Sequence, residues 1–527
     1  MVPAAPDAAA VRLVRRVEQG FDRVFGCQAN PLRQLGALAV WLLWIVVASG
    51  FWIYALYETS VDGAWRSVHE MNADQPYTGG LMRGLHRYAS DALLLVSAVH
   101  LLREALMGRY RAFRWFTWVS GVPLLWLAVI SGIIGYWMVW DERALYVGVS
   151  VLEWMSVLPG VTLEVVRNFL DAQAVTDRFF SLLAFLHIGV PLLLLLGLWV
   201  HIVRLARPQT QPHRRLAAGT FITLMLLALF WPALSMPRAD PGRQPMAVDL
   251  DWFYLVALPL ADRAPILTWS VLVLATVLLV ALPWLPRSRQ GRAATEPGAV
   301  APARVGPPAV VDPVHCNGCT LCLQDCPYAA VTMVPHPLRP ASRMALVDPD
   351  LCAACGVCVG ACPSATPFRR SAAVTTGIDL PGTPLQGERE RLDAALKHLE
   401  AQPHPRVLVL GCEHAARLPQ PLPGVQMIAS ACTAFWPPVF IEYALRHGAD
   451  GVLVTGCPPG DCEYRLGPQW TAQRLAGERM PHLRAQVSRD RVHLVWAARE
   501  QGEALAEQVA QWRDRLDTLP IQENSDD

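Results

Sequence analysis

Residues 81–104, LMRGLHRYASDALLLVSAVHLLRE, place His86 and His100 fourteen residues apart in an apolar stretch. Residues 177–203, DRFFSLLAFLHIGVPLLLLLGLWVHIV, repeat that spacing with His187 and His201. On an α-helix fourteen residues make nearly four turns, so each pair shares one helix face, about 21 Å apart along the axis. A polar side chain inside a bilayer is costly and is usually functional. One such histidine reads equally well as a helix–helix hydrogen bond, but two matched pairs read as ligands. A single apolar segment separates the two stretches, so both cross in the same direction. His86 then faces His187, and His100 faces His201, giving two bis-imidazole sites, each suited to a haem iron. Glycines carry the same spacing, with Gly36 and Gly50 before the first pair and Gly121 and Gly135 before the second. Glycine lacks the Cβ that would obstruct a flat macrocycle. Small-residue helix packing is the plainer explanation, and the shared spacing of fourteen argues against it.

Outward from these stretches, six apolar segments are expected to span a membrane: 35–57, 84–104, 116–139, 179–203, 216–236 and 265–286. Each is long enough for a hydrocarbon core of about 30 Å. The 527 residues are 53% hydrophobic, which suits bilayer segments mixed with soluble parts. The net charge of +1 offers nothing to nucleic acid. No apolar stretch followed by a small-residue cleavage site opens the chain, so no signal peptide is expected. Arginines precede the first segment (Arg12, Arg15, Arg16, Arg23). They also follow the second (Arg103, Arg109, Arg111, Arg114), the fourth (Arg204, Arg207, Arg214, Arg215) and the sixth (Arg287, Arg289, Arg292). The positive-inside rule then places both termini on the cytoplasmic side of a bacterial inner membrane. Residues 11–25 are basic with Val14, Val17, Phe21 and Val24 at helical spacing; a helix on an anionic membrane surface and a helix packed on protein fit equally.

Of 13 cysteines only Cys27, read as inert, precedes residue 300. Cys316, Cys319, Cys322 and Cys326-Pro form one run, and Cys352, Cys355, Cys358 and Cys362-Pro repeat its spacing. This is the two-cluster ferredoxin pattern, in which the fourth cysteine of each run crosses to the other cluster. One [4Fe–4S] cluster is therefore expected on Cys316, Cys319, Cys322 and Cys362, and a second on Cys352, Cys355, Cys358 and Cys326. Cys412, Cys432, Cys457 and Cys462 remain, in a stretch that reads as α/β; Cys412 and Cys457 each end an apolar strand-like run. Four thiolates there fit a third cluster or a zinc ion. No Gly-x-Gly-x-x-Gly follows a strand, so no flavin or nicotinamide is expected on this chain.

The first four apolar segments resemble the cytochrome b of the bc complexes. The likeness rests on the Gly and His pairs, on Arg83 three residues before His86, on Pro191 four after His187, and on FTWVSG and GIIGYWMVWD in the third segment. It covers roughly 30–205 and implies two b haems, with Arg83 holding a haem propionate. Arg178-Phe179-Phe180 lies about a turn further from its histidine than in that family, and the six segments stop short of the family's further helices. Asp251-Trp252-Phe253-Tyr254 resembles the Pro-Glu-Trp-Tyr quinol-oxidation motif. By that resemblance Asp251 accepts a quinol proton and Trp252 lines the site; an interfacial aromatic belt is the alternative. Residues 404–475, with ADGVLVTGCPPGDCEYRLG, resemble the delta subunit of methyl-viologen-reducing hydrogenase. That resemblance implies a [2Fe–2S] cluster on Cys412, Cys432, Cys457 and Cys462, with Cys412 its weakest ligand.

The expected architecture is multi-domain. A surface helix (1–30) leads into an all-α transmembrane bundle of six helices (31–286), a Pro- and Ala-rich linker (287–311) and an α+β ferredoxin-like domain (312–370). A small α/β iron–sulfur domain (400–515) and a disordered tail (516–527) complete it. The expected role is electron transfer between quinone and a cytoplasmic flavoprotein, heterodisulfide-reductase-like or dehydrogenase partner. An adaptor that never touches quinone is the alternative, and a homodimer is compatible with either.

Overall fold

The computed structural model describes residues 8–159, 175–240, 242, 248–285, 306–368 and 374–519. Most of the expected linker, the end of the expected tail, and Arg287, Arg289 and Arg292 lie outside the described residues. The chain divides into two compact units: 6–203 with 208–288, and 289–527 with 1–5 and 204–207.

The first unit is helical. Its elements are α1 (Ala8–Phe25), α2 (Leu35–Leu56), α3 (Gly63–Ala73), α4 (Leu81–Leu106), α5 (Trp115–Met138), α6 (Glu142–Met155), α7 (Asp177–Ile202), α8 (Arg214–Phe230), α9 (Leu258–Arg263) and α10 (Pro265–Ala281). Helices α2, α5 and α7 are long and apolar enough to cross a membrane. The other three expected spans are also helices, with less clear-cut character. Helix α4 carries Arg83, Arg87, Asp91, Arg103 and Glu104. Helices α8 and α10 are 17 residues each, a rise of roughly 26 Å. Helices α2 and α4 pack together, as do α5 and α7, and α8 lies against α4. Gly84 permits that last approach, since a Cβ there would sit 2.9 Å from Ala228 Cβ. Leu42, Leu85, Ala89, Val147 and Leu255 form the core between the helices.

Helix α1 is anchored through charge. Glu18, 1% exposed, accepts two hydrogen bonds from Arg103 of α4 at 2.8 and 2.7 Å. Val17 and Val24, read from the sequence as part of an apolar face, are exposed. At the start of α7, Phe179 and Phe180 stack edge-on against Trp140.

The second unit contains the sheets. Strand β1 (Val310–Val311) pairs antiparallel with β4 (Ile378–Asp379), and β2 (Val331–Pro335) with β3 (Arg343–Val347). Short helices α11 (Leu321–Asp325) and α12 (Val357–Gly360) carry the third cysteine of each run, Cys322 and Cys358. Beyond α13 (Leu385–Glu400), a four-stranded parallel sheet forms from β5 (Val407–Cys412), β6 (Val425–Ser430), β7 (Gly451–Gly456) and β8 (Val492–Trp496), in the order β6-β5-β7-β8. Strands β5 and β7 are buried along their whole length, as central parallel strands are. Helices α14 (Pro438–Arg446), α15 (Gly467–Ala476) and α16 (Gly502–Asp517) complete this part. Trp512 and Leu516 of α16 pack on Leu453 and Val409.

Candidate functional site: paired histidines and clustered cysteines

His86 and His100 project from α4, and His187 and His201 from α7. The rings of His86 and His187 lie 6.2 Å apart between centroids, and His100 is within electrostatic reach of His201. The second ring nitrogens are engaged. His86 Nδ1 lies 3.0 Å from Val46 O, and His187 Nδ1 lies 3.0 Å from Ser131 O. A carbonyl only accepts, so each Nδ1 carries the proton and donates it, and each Nε2 keeps its lone pair for a metal. His201 Nδ1 lies 3.2 Å from Ser120 Oγ. His86 and His187 thus fit a haem iron without rearrangement of tautomer.

The four glycines meet the four histidines one to one. An added Cβ would lie 3.7 Å from His100 at Gly36, 3.1 Å from His86 at Gly50, 3.0 Å from His201 at Gly121 and 2.9 Å from His187 at Gly135. Val46 and Ser131 stand four residues before Gly50 and Gly135. On a helix this puts each accepting carbonyl one turn away on the same face. Glycine therefore lets the imidazole come near enough to reach that carbonyl, whereas the sequence spacing points to room for the macrocycle. Arg83 donates to Asn72 Oδ1 at 2.6 Å and to Val68 O at 3.3 Å, which ties α4 to α3 beside His86.

Asp251, 8% exposed, accepts the backbone N–H groups of Phe253 at 2.9 Å and Tyr254 at 3.1 Å. Arg87 lies 3.5 Å from it, pairs with Asp91, and stacks 4.9 Å over the Tyr136 ring. Tyr254 donates to Ser90 O at 2.6 Å. Trp252 does not join this group and is 82% exposed. Arg87, Asp91 and Tyr136 were not singled out from the sequence; two charged residues one turn apart inside an otherwise apolar segment were the available signal.

In the second unit Cys316, Cys319, Cys322 and Cys362 line one hollow with Gly377 and Ile378. Cys326 is within electrostatic reach of Cys352 and Cys355, and Cys358 of all three. The fourth cysteine of each run thus lies near the first three of the other. Backbone N–H groups donate to sulfur, Ala330 to Cys326 at 3.3 Å and Ala309 to Cys352 at 3.4 Å. Such bonds to ligand sulfurs tune cluster potentials. Burial pushes the Cys322 thiol up to about 12 and raises Cys355 and Cys358. A thiolate in so apolar a setting needs a compensating positive charge, which a metal centre would supply.

Cys412 ends β5, Cys432 follows β6, and Cys457 and Cys462 follow β7. All four are at most 7% exposed. Cys412 and Cys457, Cys457 and Cys462, and Cys462 and Cys432 are within hydrogen-bond reach. Strand ends in a parallel sheet gather ligands in this way. Cys355 lies within electrostatic reach of both Cys432 and Cys462. Among the described residues no three His, Cys, Asp or Glu side chains form the tight shell of a lone metal ion. Cys27 is exposed and apart from these cysteine groups.

An apolar helical unit with paired histidines, followed by a sheet-containing unit rich in clustered cysteines, defines a membrane electron-transfer protein with iron–sulfur domains. Residues 25–209 match the family Cytochrome b/b6/petB, residues 315–366 the 4Fe-4S dicluster domain, and residues 412–520 the delta subunit of methyl-viologen-reducing hydrogenase. Cytochrome b6 of Gracilaria tenuistipitata var. liui is 30% identical over 177 residues, 33% of this chain and 80% of that protein. Cytochrome b of Rhodospirillum rubrum is 26% identical over 302 residues, 51% of this chain and 73% of that one. A solved structure titled Hyperthermophilic respiratory Complex III aligns over 54% of this chain and 84% of its own, at 15% identity and a TM-score of 0.42. The chain belongs to the cytochrome b family, here joined in one polypeptide to a 4Fe–4S dicluster domain and a hydrogenase delta-subunit domain.

Proposed function

We propose that this chain is the membrane subunit linking the quinone pool to a cytoplasmic flavoprotein or dehydrogenase. It does so through two b haems, two [4Fe–4S] clusters and one [2Fe–2S] cluster. These groups supply one-electron carriers, and the protein places them. His86 with His187, and His100 with His201, ligate the haems; Gly36, Gly50, Gly121 and Gly135 admit the ligand rings; Arg83 holds a propionate. Cys316, Cys319, Cys322 and Cys362 hold one cube, and Cys326, Cys352, Cys355 and Cys358 the other. Cys412, Cys432, Cys457 and Cys462 hold the [2Fe–2S] cluster. The arginine bias of the loops supports a cytoplasmic position for the cysteine-rich unit, at a bacterial inner membrane. The observation that carries the reading is the convergence of four buried cysteines from separate strand ends, beside Cys355 of the ferredoxin repeat.

Cys457→Ala tests it. Electron paramagnetic resonance of the dithionite-reduced variant is expected to lose one signal of [2Fe–2S] type. Haem content stays unchanged, since the histidines lie in a separate unit, and quinol-dependent reduction of a soluble acceptor stops. Retention of the signal, or one zinc per chain in the unaltered protein, refutes the [2Fe–2S] assignment.

One observation favours a second reading, an adaptor without its own quinone site. Both oxygens of Asp251 already accept backbone N–H groups, the arrangement of a turn-forming aspartate. Asp251→Asn separates the two readings. With a quinone site, quinol-driven haem reduction in membranes is expected to fall about a hundredfold to ten-thousandfold, the range for loss of a positioned proton acceptor, with the dithionite-reduced spectrum intact. An unchanged rate favours the adaptor.

A further inference from the structure

Asp325 immediately precedes Cys326, and both it and Arg474 of α15 have side chains 1% exposed. Arg474 Nη2 donates to Asp325 Oδ2 at 2.6 Å. The same guanidinium donates to Ala434 O at 2.9 Å and to Val357 O at 3.4 Å. Ala434 is two residues past Cys432, and Val357 directly precedes Cys358. One side chain therefore holds the backbone near Cys432 and Cys358 and the carboxylate of Asp325 beside Cys326, three cysteines that belong to two different sites. Arg479 donates to the other oxygen of Asp325 at 2.5 Å and lies 3.5 Å over the ring of Trp470. Trp470 Nε1 in turn donates to the Asp325 carbonyl at 3.1 Å. The seam is tightly packed: a Cβ on Gly360 would fall 1.9 Å from Ala434 O and 2.8 Å from Arg474 Nη1.

A buried ion pair is a poor stabiliser, because desolvating both charges costs as much as their attraction returns. Its directional hydrogen bonds do fix geometry. Two guanidinium groups against one carboxylate also leave one positive charge in excess between the Cys326 site and the Cys432 site. Each reduction adds an electron, and a nearby positive charge favours the reduced form.

We propose that Arg474, held by Asp325, is a positioning residue that fixes the Cys326, Cys352, Cys355 and Cys358 site against the Cys412, Cys432, Cys457 and Cys462 site. Electrons therefore pass directly between those two sites, rather than from the Cys316 site to the Cys432 site. The step is a single electron leaving one reduced cluster and entering the oxidised other, with no bond broken and no proton moved. The proposal rests on the reading of both sites as iron–sulfur clusters.

The test uses the intact chain in detergent, as Arg474→Met and Arg474→Lys, with Arg479→Gln as a variant outside the fully buried pair. Non-haem iron and acid-labile sulfide are measured first, then potentials and spin–spin splitting by electron paramagnetic resonance. Arg474→Met is expected to keep its iron, to lose the splitting between the two centres, and to shift both potentials to more negative values. Arg474→Lys keeps the charge without the fork, so the potentials return while the splitting stays reduced. Arg479→Gln, at the edge of the seam, shifts the potentials in the same direction with the splitting kept, and it decides the matter if Arg474→Met loses iron. Unchanged potentials and splitting in Arg474→Met, or in Arg479→Gln unchanged potentials, overturn the proposal while leaving the cluster reading intact. Absence of two interacting cluster signals in the unaltered protein overturns both.

Discussion

Leucine in place of His187 is expected to leave one haem per chain where the proposed ligand set holds two. In the proposed ligation His187 supplies one of two imidazoles, and its Nδ1 lies 3.0 Å from Ser131 O. The other histidine of α7, His201, is fourteen residues away and cannot replace it. A single imidazole on one helix holds a haem far less well than two from facing helices. Leucine is apolar, close to histidine in size, and a good helix former, so α7 keeps its place in the bilayer. The His100 and His201 site, about 21 Å along the axis, keeps its haem. Pyridine haemochrome titration gives the count, and quinol-driven reduction of the cysteine-rich unit falls to background because a carrier is missing. Two haems per chain in the variant would refute the ligand assignment.

The histidine pattern was legible because helix periodicity turns a spacing of fourteen into a shared face. The ferredoxin repeat was legible because its ligands are local and its spacing is particular to cluster binding. The third group was harder. Cys412 and Cys462 are fifty residues apart, and only the parallel sheet brings them together. Its likeness to a known family supplied what spacing could not. Helices α3 and α6 went unread because they are short, mixed in polarity and outside any apolar run. The charge anchoring α1 was hidden for a different reason. The basic, amphipathic stretch suggested that arginines and valines set its environment, whereas one buried glutamate, Glu18, does so by pairing with Arg103, 85 residues on. The pair of Asp325 and Arg474 is separated by 149 residues. Neither has a periodic signature, because long-range polar pairs are specified by tertiary geometry alone.

Alanine in place of Gly467 is expected to remove the third cluster and spare the other cofactors. Gly467 opens α15, and a Cβ there would stand 2.4 Å from Cys432 Sγ and 3.4 Å from Cys462 Sγ. A methyl group at 2.4 Å overlaps the sulfur, so one of them must move. Cys432 has little freedom to do so. It is 1% exposed, and its neighbour Thr433 receives a hydrogen bond from Thr471 Oγ1 of the same helix at 3.3 Å. The thiol is therefore expected to turn away from the other three cysteines, and three thiolates bind a [2Fe–2S] cluster poorly. Non-haem iron should fall from about ten to about eight atoms per chain, with both haems and both [4Fe–4S] signals retained. Gly387→Ala is the control within the same unit. A Cβ there meets nothing within 4 Å, and Gly387 lies inside helix α13, where alanine is favoured over glycine by roughly 0.5–1 kcal/mol. That control should keep all its iron and unfold no more readily than the parent. Full iron content and an unchanged [2Fe–2S] signal in Gly467→Ala would mean that Cys432 is not a ligand, because a ligand at that position has nowhere to stand beside the new methyl group.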